Sequence, residues 1–463
     1  MANRWKGNIV AAAATTSSGT DYTGKANGAW GLNSQLQQKY AGLWSLGVHA
    51  PSAPTNVTAA AADAQAFISF TASTDTGGGT LTYTATSTPS NITGTSSTSP
   101  VTVTGLTNGI AYTFTVHANS SLGYTSIEST ASNSVTPQSS QIFIGLEGSP
   151  GIAAYTWVNG FGSRYANPST LPAGNNCSNI SIKSTKDTIA VSNASTPYIT
   201  VYPWSSGGFG SKFANPSTSP TGLAGDCAIF APNGSSIALG MYATSSPYIH
   251  AYAWSSGFGS KYADPSTLPT GYIAKVRYNP TSTALSLTSA ASPYLLVYAW
   301  SGSGFGSKYA DPSVLPQDAS NGLSFNPAGT VIAVGYANYS PYINAYAWSS
   351  GFGTKYADPS VGLISQGKDI KFNPTGNAVA ITMYDSPFIH VYAWNNGFGS
   401  KYADPSTLPT DLGTGVDFNS QGDTIAISTY AASPVSAYPW SNGFGTKYSE
   451  ISIGTALSVA FSL

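Results

Sequence analysis

Between residues 155 and 450 the apolar positions fall in short runs, separated at regular intervals by Gly, Pro, Asn and Ser. One stretch shows the pattern in full: residues 322–327 (GLSFNP), 330–336 (TVIAVGY), 341–348 (PYINAYAW) and 354–359 (TKYADP). The runs are rich in β-branched and aromatic residues. The Asn-Pro-Ala-Gly, Ser-Pro and Ser-Ser-Gly-Phe-Gly sequences between them suit tight turns, so the stretch predicts four short strands and no helix. Because strand side chains alternate, the third run places Tyr342, Asn344, Tyr346 and Trp348 on one face and Ile343, Ala345 and Ala347 on the other. Both faces suit burial, with large rings on one side of a sheet meeting small residues on the next.

The pattern repeats. A segment close to YAWSSGFGSKYADPSTLP occurs seven times, with its tryptophans at Trp157, Trp204, Trp254, Trp300, Trp348, Trp394 and Trp440, spaced by 46 to 50 residues. A period of that size, with four strands per unit, predicts an all-β, seven-bladed propeller whose units bury their apolar faces only against one another. The first unit starts at its second strand, residues 141–146 (QIFIGL), and residues 456–463 (ALSVAFSL) read as an inner strand with no successor. The last strand is therefore expected to pair beside the first and close the ring, hiding the sheet edge. The unit GLSFNPAGTVIAVGYANYSPYINAYAW resembles the WD-repeat family in its strand order and closing Trp, although the Trp-Asp and Gly-His dipeptides of that family are missing.

Residues 51–138 follow a different pattern, with strand-like runs at 66–71, 81–86, 100–106, 112–117 and 132–136. PSAPTNVT at residues 51–58 and GLTNGIAYTFTVHANSSLG at 105–123 resemble the fibronectin type III family, which implies a β-sandwich with Leu106 as its buried leucine and Tyr112 as its corner tyrosine. The family's core tryptophan is absent, and Phe67 or Phe70 is expected to fill its space. Residues 1–50 cannot build a core alone. They carry Trp5, Trp30 and Trp44, with Leu32, Leu36 and Tyr40 on one predicted helical face, and are read as a docking segment ordered by a partner. The expected domains are thus a docking segment (1–50), a fibronectin-like module (51–138) and the propeller (139–463).

Charge narrows the function. With 17 basic and 18 acidic residues in 463, no basic surface is available to neutralise phosphates, which argues against nucleic-acid binding. No run reaches the roughly 20 apolar residues of a membrane span, and residues 8–16 are too short and polar for a secretory signal, so assembly in a cytoplasm is expected. Cys177 and Cys227 occupy different offsets in adjacent units, so two buried free thiols are expected rather than a bridge.

Candidate chemistry is sparse. His250 and His390 share one place in the third strand of two distant units and read as structural. Arg164, Lys212, Lys261, Lys308, Lys355, Lys401 and Lys447 each precede an Asn, Asp or Glu by three, which reads as scaffolding, with a ring of cation-binding carboxylates as the functional alternative. Gly-Phe-Gly reads as a turn whose Phe tucks under the blade, with sugar stacking as its alternative. Asp226, Asp369 and Asp417 lie near inner strands of three separate blades, too scattered for a catalytic pair. No catalytic residue, metal or cofactor is assigned. The connections from each fourth strand to the next first strand vary among units, which marks that rim for recognition.

The first fifty residues resemble leaders of tail and appendage proteins in phages of aquatic bacteria, in which fibronectin modules are frequent. The resemblance implies a non-enzymatic bacteriophage virion protein, a tail fibre or surface appendage. It would be anchored to other virion proteins through residues 1–50 and would present its propeller to a host-envelope glycan or protein, with homo-oligomerisation open. The alternatives are a capsid or collar component without a receptor role, and a secreted adhesin or carbohydrate-active propeller enzyme.

Overall fold

The computed structural model describes residues 49–137, 140–174, 176–222, 224–431 and 434–462. The expected docking residues Trp5, Trp30, Leu32, Leu36, Tyr40 and Trp44 lie outside the described residues. All regular elements among the described residues are strands, and they form two compact units that part at residue 140.

The first unit is a sandwich of two three-stranded sheets. One contains Thr55–Ala62, Gln65–Thr71 and Val101–Thr104, and the other Thr93–Ser96, Leu81–Thr88 and Thr113–Ser120. Alternate residues of both sheets, among them Ile68, Phe70, Tyr83, Val103, Phe114 and Val116, make the core. Phe70, not Phe67, fills the space a core tryptophan would take, its ring 4.7 Å from that of Tyr83. Leu106 is buried, and the Tyr112 hydroxyl accepts a hydrogen bond from the Thr107 amide at 3.1 Å, the corner expected from the sequence.

The strand expected at residues 132–136 is not formed; a single bridge joins Val135 to Tyr112. The edge before it is closed by serines spaced three apart. Ser126, Ser129 and Ser132 donate their amides to the carbonyls of Ala118, Val116 and Phe114, and their hydroxyls accept the amides of the same three residues. Each serine thus satisfies one partner residue completely, and three residues of this segment span two of its neighbour. A period of three gives no strand signal in the sequence.

The second unit is the propeller. Five blades are complete four-stranded meanders, with inner strands Asn179–Ile182 (blade 2), Ala224–Phe230 (blade 3), Ile273–Tyr278 (blade 4), Ser320–Phe325 (blade 5) and Gly367–Phe372 (blade 6). Blade 7 begins at Gly413–Phe418. Blade 1 is closed as expected: Ala456–Phe461 pairs antiparallel with Ser140–Leu146, Val459 opposite Ile144 and Phe461 opposite Ile142. The Gln141 amide also donates to the Ser462 hydroxyl at 2.8 Å.

The two-faced third strand of blade 5 (Ile343–Trp348) packs as its alternation predicts. Tyr346 and Trp348 meet Leu295 and Val297 of blade 4, while Ile343 and Ala345 receive Tyr392 and Trp394 of blade 6. Tyr342 departs from the expectation. It precedes the strand with φ of 63° and packs on the blade 6 side, away from Tyr346.

The outer strand also differs. In blade 5 it runs Phe352–Lys355, so the Gly-Phe-Gly is the start of a strand rather than only a turn, and residues 356–359 lie beyond it. Blades 2 and 7 have reduced outer strands, Gly208–Phe209 and a single Trp440–Phe444 bridge. These two blades carry Pro203 and Pro439 where blade 1 has Thr156 and blades 3 to 6 have Ala, and the carbonyls of both prolines already face the outer segment, accepting from Gly210 and Gly445. Proline has no N–H to donate on that side, so the ladder stops there.

Candidate functional site

The seven repeat tryptophans are buried structural residues, none more than 7% exposed. Trp348 meets three rings edge-on: Phe352 of its own outer strand at 5.2 Å, Phe325 of its inner strand at 6.1 Å and Tyr309 of the preceding blade at 5.1 Å. Trp157 completes the circuit, with Tyr448 of blade 7 and Phe461 of the closing strand. Trp204 lacks an inner aromatic because Ile182 stands there, and Phe143 of blade 1 supplies the ring at 4.7 Å. A second set of inter-blade ties comes from third-strand tyrosines: the hydroxyls of Tyr202, Tyr252, Tyr298, Tyr392 and Tyr438 donate to carbonyls of the preceding blade's exit segment at 2.7 to 2.9 Å.

The repeated charges form local staples. Lys261, Lys308, Lys355 and Lys401 pair with Asp264, Asp311, Asp358 and Asp404, Lys447 with Glu450, and Arg164 with Asn167 at 2.9 Å. Each carboxylate is taken by its own lysine. The Gly-Phe-Gly phenylalanines are likewise engaged by Trp and Tyr, which leaves the repeated rim little aromatic surface to offer.

His250 accepts the Thr221 amide at 3.2 Å, and His390 Nδ1 lies 3.1 Å from the Tyr392 hydroxyl. Burial, then the nearby Lys401, lowers the His390 pKa to about 4, so it is neutral at physiological pH. Cys177 and Cys227 are free and buried, and burial pushes the Cys177 thiol up to about 12. Among the described residues no group of three His, Cys, Asp or Glu could hold a metal ion.

In an antiparallel meander the inner-to-second and third-to-outer hairpins lie at one end of each blade, and the other connections lie at the opposite end. The end with the varied loops carries the exposed aromatics. Tyr242, Tyr339, Tyr384 and Tyr430 are 46%, 56%, 47% and 44% exposed, Tyr242 at the end of a second strand and the others just after one. Tyr272, from a variable outer-to-inner connection, lies against Tyr242 at 4.9 Å, and Ile364 is exposed in another. A small polar depression beside them is lined by Thr221, Gly222, Ala243, Thr244 and Ser245. Residue-by-residue reading of the repeat overlooked these tyrosines because they fall outside its conserved segments.

The sequence also did not reveal a charged cluster on the propeller axis. Lys275 and Arg277 of blade 4 reach Asp369 of blade 6 at 3.5 and 3.8 Å, passing over blade 5, and Lys371 pairs with Asp417 of blade 7 at 2.8 Å. Only side chains facing the axial channel can make contacts between blades two apart. The aspartates also tie strands together: Asp369 accepts the Val416 amide at 3.3 Å and Asp417 the Phe461 amide at 2.9 Å. Asp369 and Asp417, expected to stand apart, therefore belong to one network. Asp226 is in the inner strand of blade 3, but its side chain lies outside the described residues.

The fibronectin type III domain model matches residues 52–135. No curated protein matches the chain. Among solved structures, a periplasmic gluconolactonase of Pseudomonas aeruginosa aligns with a TM-score of 0.56 at 12% identity, over 70% of this chain and 99% of its own. A candidate 6-phosphogluconolactonase of Bacteroides fragilis aligns with a TM-score of 0.54 at 12% identity, over 70% and 98%. A Lactobacillus plantarum protein gives 0.53 at 14%, over 70% and 100%. At such identities the likeness is one of fold. The chain thus joins a fibronectin type III domain to a seven-bladed β-propeller.

Proposed function

We propose that the propeller binds carbohydrate on its varied rim, and that the protein displays this site on a bacteriophage particle as a non-enzymatic tail-fibre or appendage component. The concentration of exposed tyrosines on the one rim whose loops differ carries the reading. Tyrosine offers an apolar ring face to sugar C–H groups and a hydroxyl to their oxygens, and the rigid blades hold these rings in place without folding costs on binding. In this reading residues 1–50 dock on other virion proteins, the fibronectin module is a spacer and a host-envelope glycan is the ligand. The place on a particle rests on the resemblance of the leader alone.

The test is retention of purified protein on host cells and on their extracted envelope polysaccharide, with the double variant Tyr242→Ala/Tyr384→Ala as comparison. Both side chains are about half exposed, so the variant should fold and lose binding. Equal retention of variant and wild type would refute the rim as the site. The gluconolactonases among the fold relatives raise lactone hydrolysis as a second reading. Turnover of gluconolactone by the purified chain, abolished by Asp369→Asn, would replace the binding reading.

A further inference from the structure

The axial cluster is unusual for this chain. Only 8% of its residues are charged, yet the inner strands IAKVRY and GKDIKF place Lys275, Arg277, Lys368 and Lys371 around one channel. Facing them among the described residues are two carboxylates, Asp369 and Asp417, each already accepting a backbone amide. Lys275 and Arg277 share the single Asp369, and Lys368 has no carboxylate partner among the described residues; its ammonium sits 5.7 Å from the Tyr384 ring centroid. Burial, then repulsion from Lys275, holds the Lys368 pKa below its ordinary value. The excess of two positive charges lies where water screens poorly, and such a concentration of like charge is stabilised by an anion.

The inner strands approach one another closely at the same level. Gly322 and Gly415 stand three residues before the inner-strand aromatic in blades 5 and 7, the position that Lys275 and Asp369 occupy in blades 4 and 6. A Cβ on Gly322 would meet Ile370 Cγ1 at 3.0 Å and the Asp369 Cα at 3.3 Å, and one on Gly415 would meet Ser428 Oγ at 2.9 Å. Side chains there would crowd the strands that carry the ions.

We propose that the axial channel binds a compact oxyanion, a phosphate or carboxylate group, between Lys275, Lys368 and Arg277. Arg277 Nη1 already donates to Cys227 Sγ at 3.3 Å and to the Val276 carbonyl at 3.0 Å, so its guanidinium contributes charge and Nη2 donors, and the two ammonium groups supply charge that rotates to fit. Lys368 borders the rim at Tyr384, so the two sites adjoin there; small anions test this one and envelope polysaccharide the other.

The experiment is isothermal titration calorimetry of the full chain at low ionic strength in a chloride buffer, with inorganic phosphate and, separately, galacturonate as probes. Saturable binding of phosphate supports the proposal and assigns a phosphate group; binding of galacturonate alone supports it and assigns the carboxylate of an acidic sugar. Lys368→Gln, which breaks no ion pair, should weaken binding about tenfold or more, the effect of one charge-assisted hydrogen bond, and Lys275→Gln should do the same. No binding of either probe by the native chain, or binding undiminished in both variants, would overturn the proposal.

Discussion

Replacing Phe461 by Ala tests whether the C-terminal strand is an integral part of the ring. Phe461 is 1% exposed, packs with Val435 and Ala437 of blade 7 and meets the Trp157 ring edge-on at 5.2 Å. Truncating a buried Phe to Ala removes its transfer free energy and leaves a cavity, about 3–5 kcal/mol in total, of which the aromatic contact supplies about 1. Phe372 holds the same place in blade 6, 3% exposed and 5.2 Å from Trp394, and lies in the middle of the chain. If the closing strand is as well held as an interior one, Phe461→Ala and Phe372→Ala should shift the urea midpoint by similar amounts at unchanged slope. Near-ultraviolet circular dichroism, to which the seven blade tryptophans contribute, is a suitable probe. Deleting residues 456–463 should go further and unfold the ring, because it uncovers the edge of Ser140–Leu146. A Phe461→Ala cost below about 1 kcal/mol beside a cost of several for Phe372→Ala would refute the reasoning.

Tyr298→Phe removes the hydrogen bond to the Thr267 carbonyl between blades 3 and 4 and should cost about 1 kcal/mol in the same urea titration. The folded-state pKa of His390, about 4, lies below the ordinary 6.5. The unfolded chain therefore binds more protons between those values, so this contribution to stability is complete above about pH 6.5 and is lost as pH falls toward 4, at most about 3 kcal/mol. His390→Asn, the residue blade 5 has at Asn344, should flatten that part of the stability curve measured by denaturation at stepped pH. Cys177 and Cys227 should both resist a thiol reagent in the native chain and both react after unfolding in denaturant; modification of either in the native state would contradict their burial.

Much of the architecture was legible because it is written in local chemistry. Asn279, Asn326, Asn373 and Asn419 each close an inner-to-second hairpin through a side-chain oxygen that accepts amides four or five residues on, and each turn is visible in the sequence. The two-faced third strands, the repeat of Trp and the inner-strand pattern of residues 456–463 likewise follow from spacing alone. Where local rules misled, a specific competitor prevailed. Tyr342 took a positive φ and changed face, Pro203 and Pro439 cut short two outer strands, and a three-residue serine period replaced an expected strand in the sandwich.

By itself, then, the sequence determined the number of blades, the order of strands and the way the ring closes, since turn chemistry and alternation act between near neighbours in the chain. Only the tertiary structure decided which side chains meet across the axis and which remain on the rim. Asp369 gains its meaning from Lys275 and Arg277 two blades away, and Tyr242 from Tyr272 of the neighbouring connection. Such pairings depend on how seven sheets are wrapped into a circle, and no spacing along the chain records that geometry.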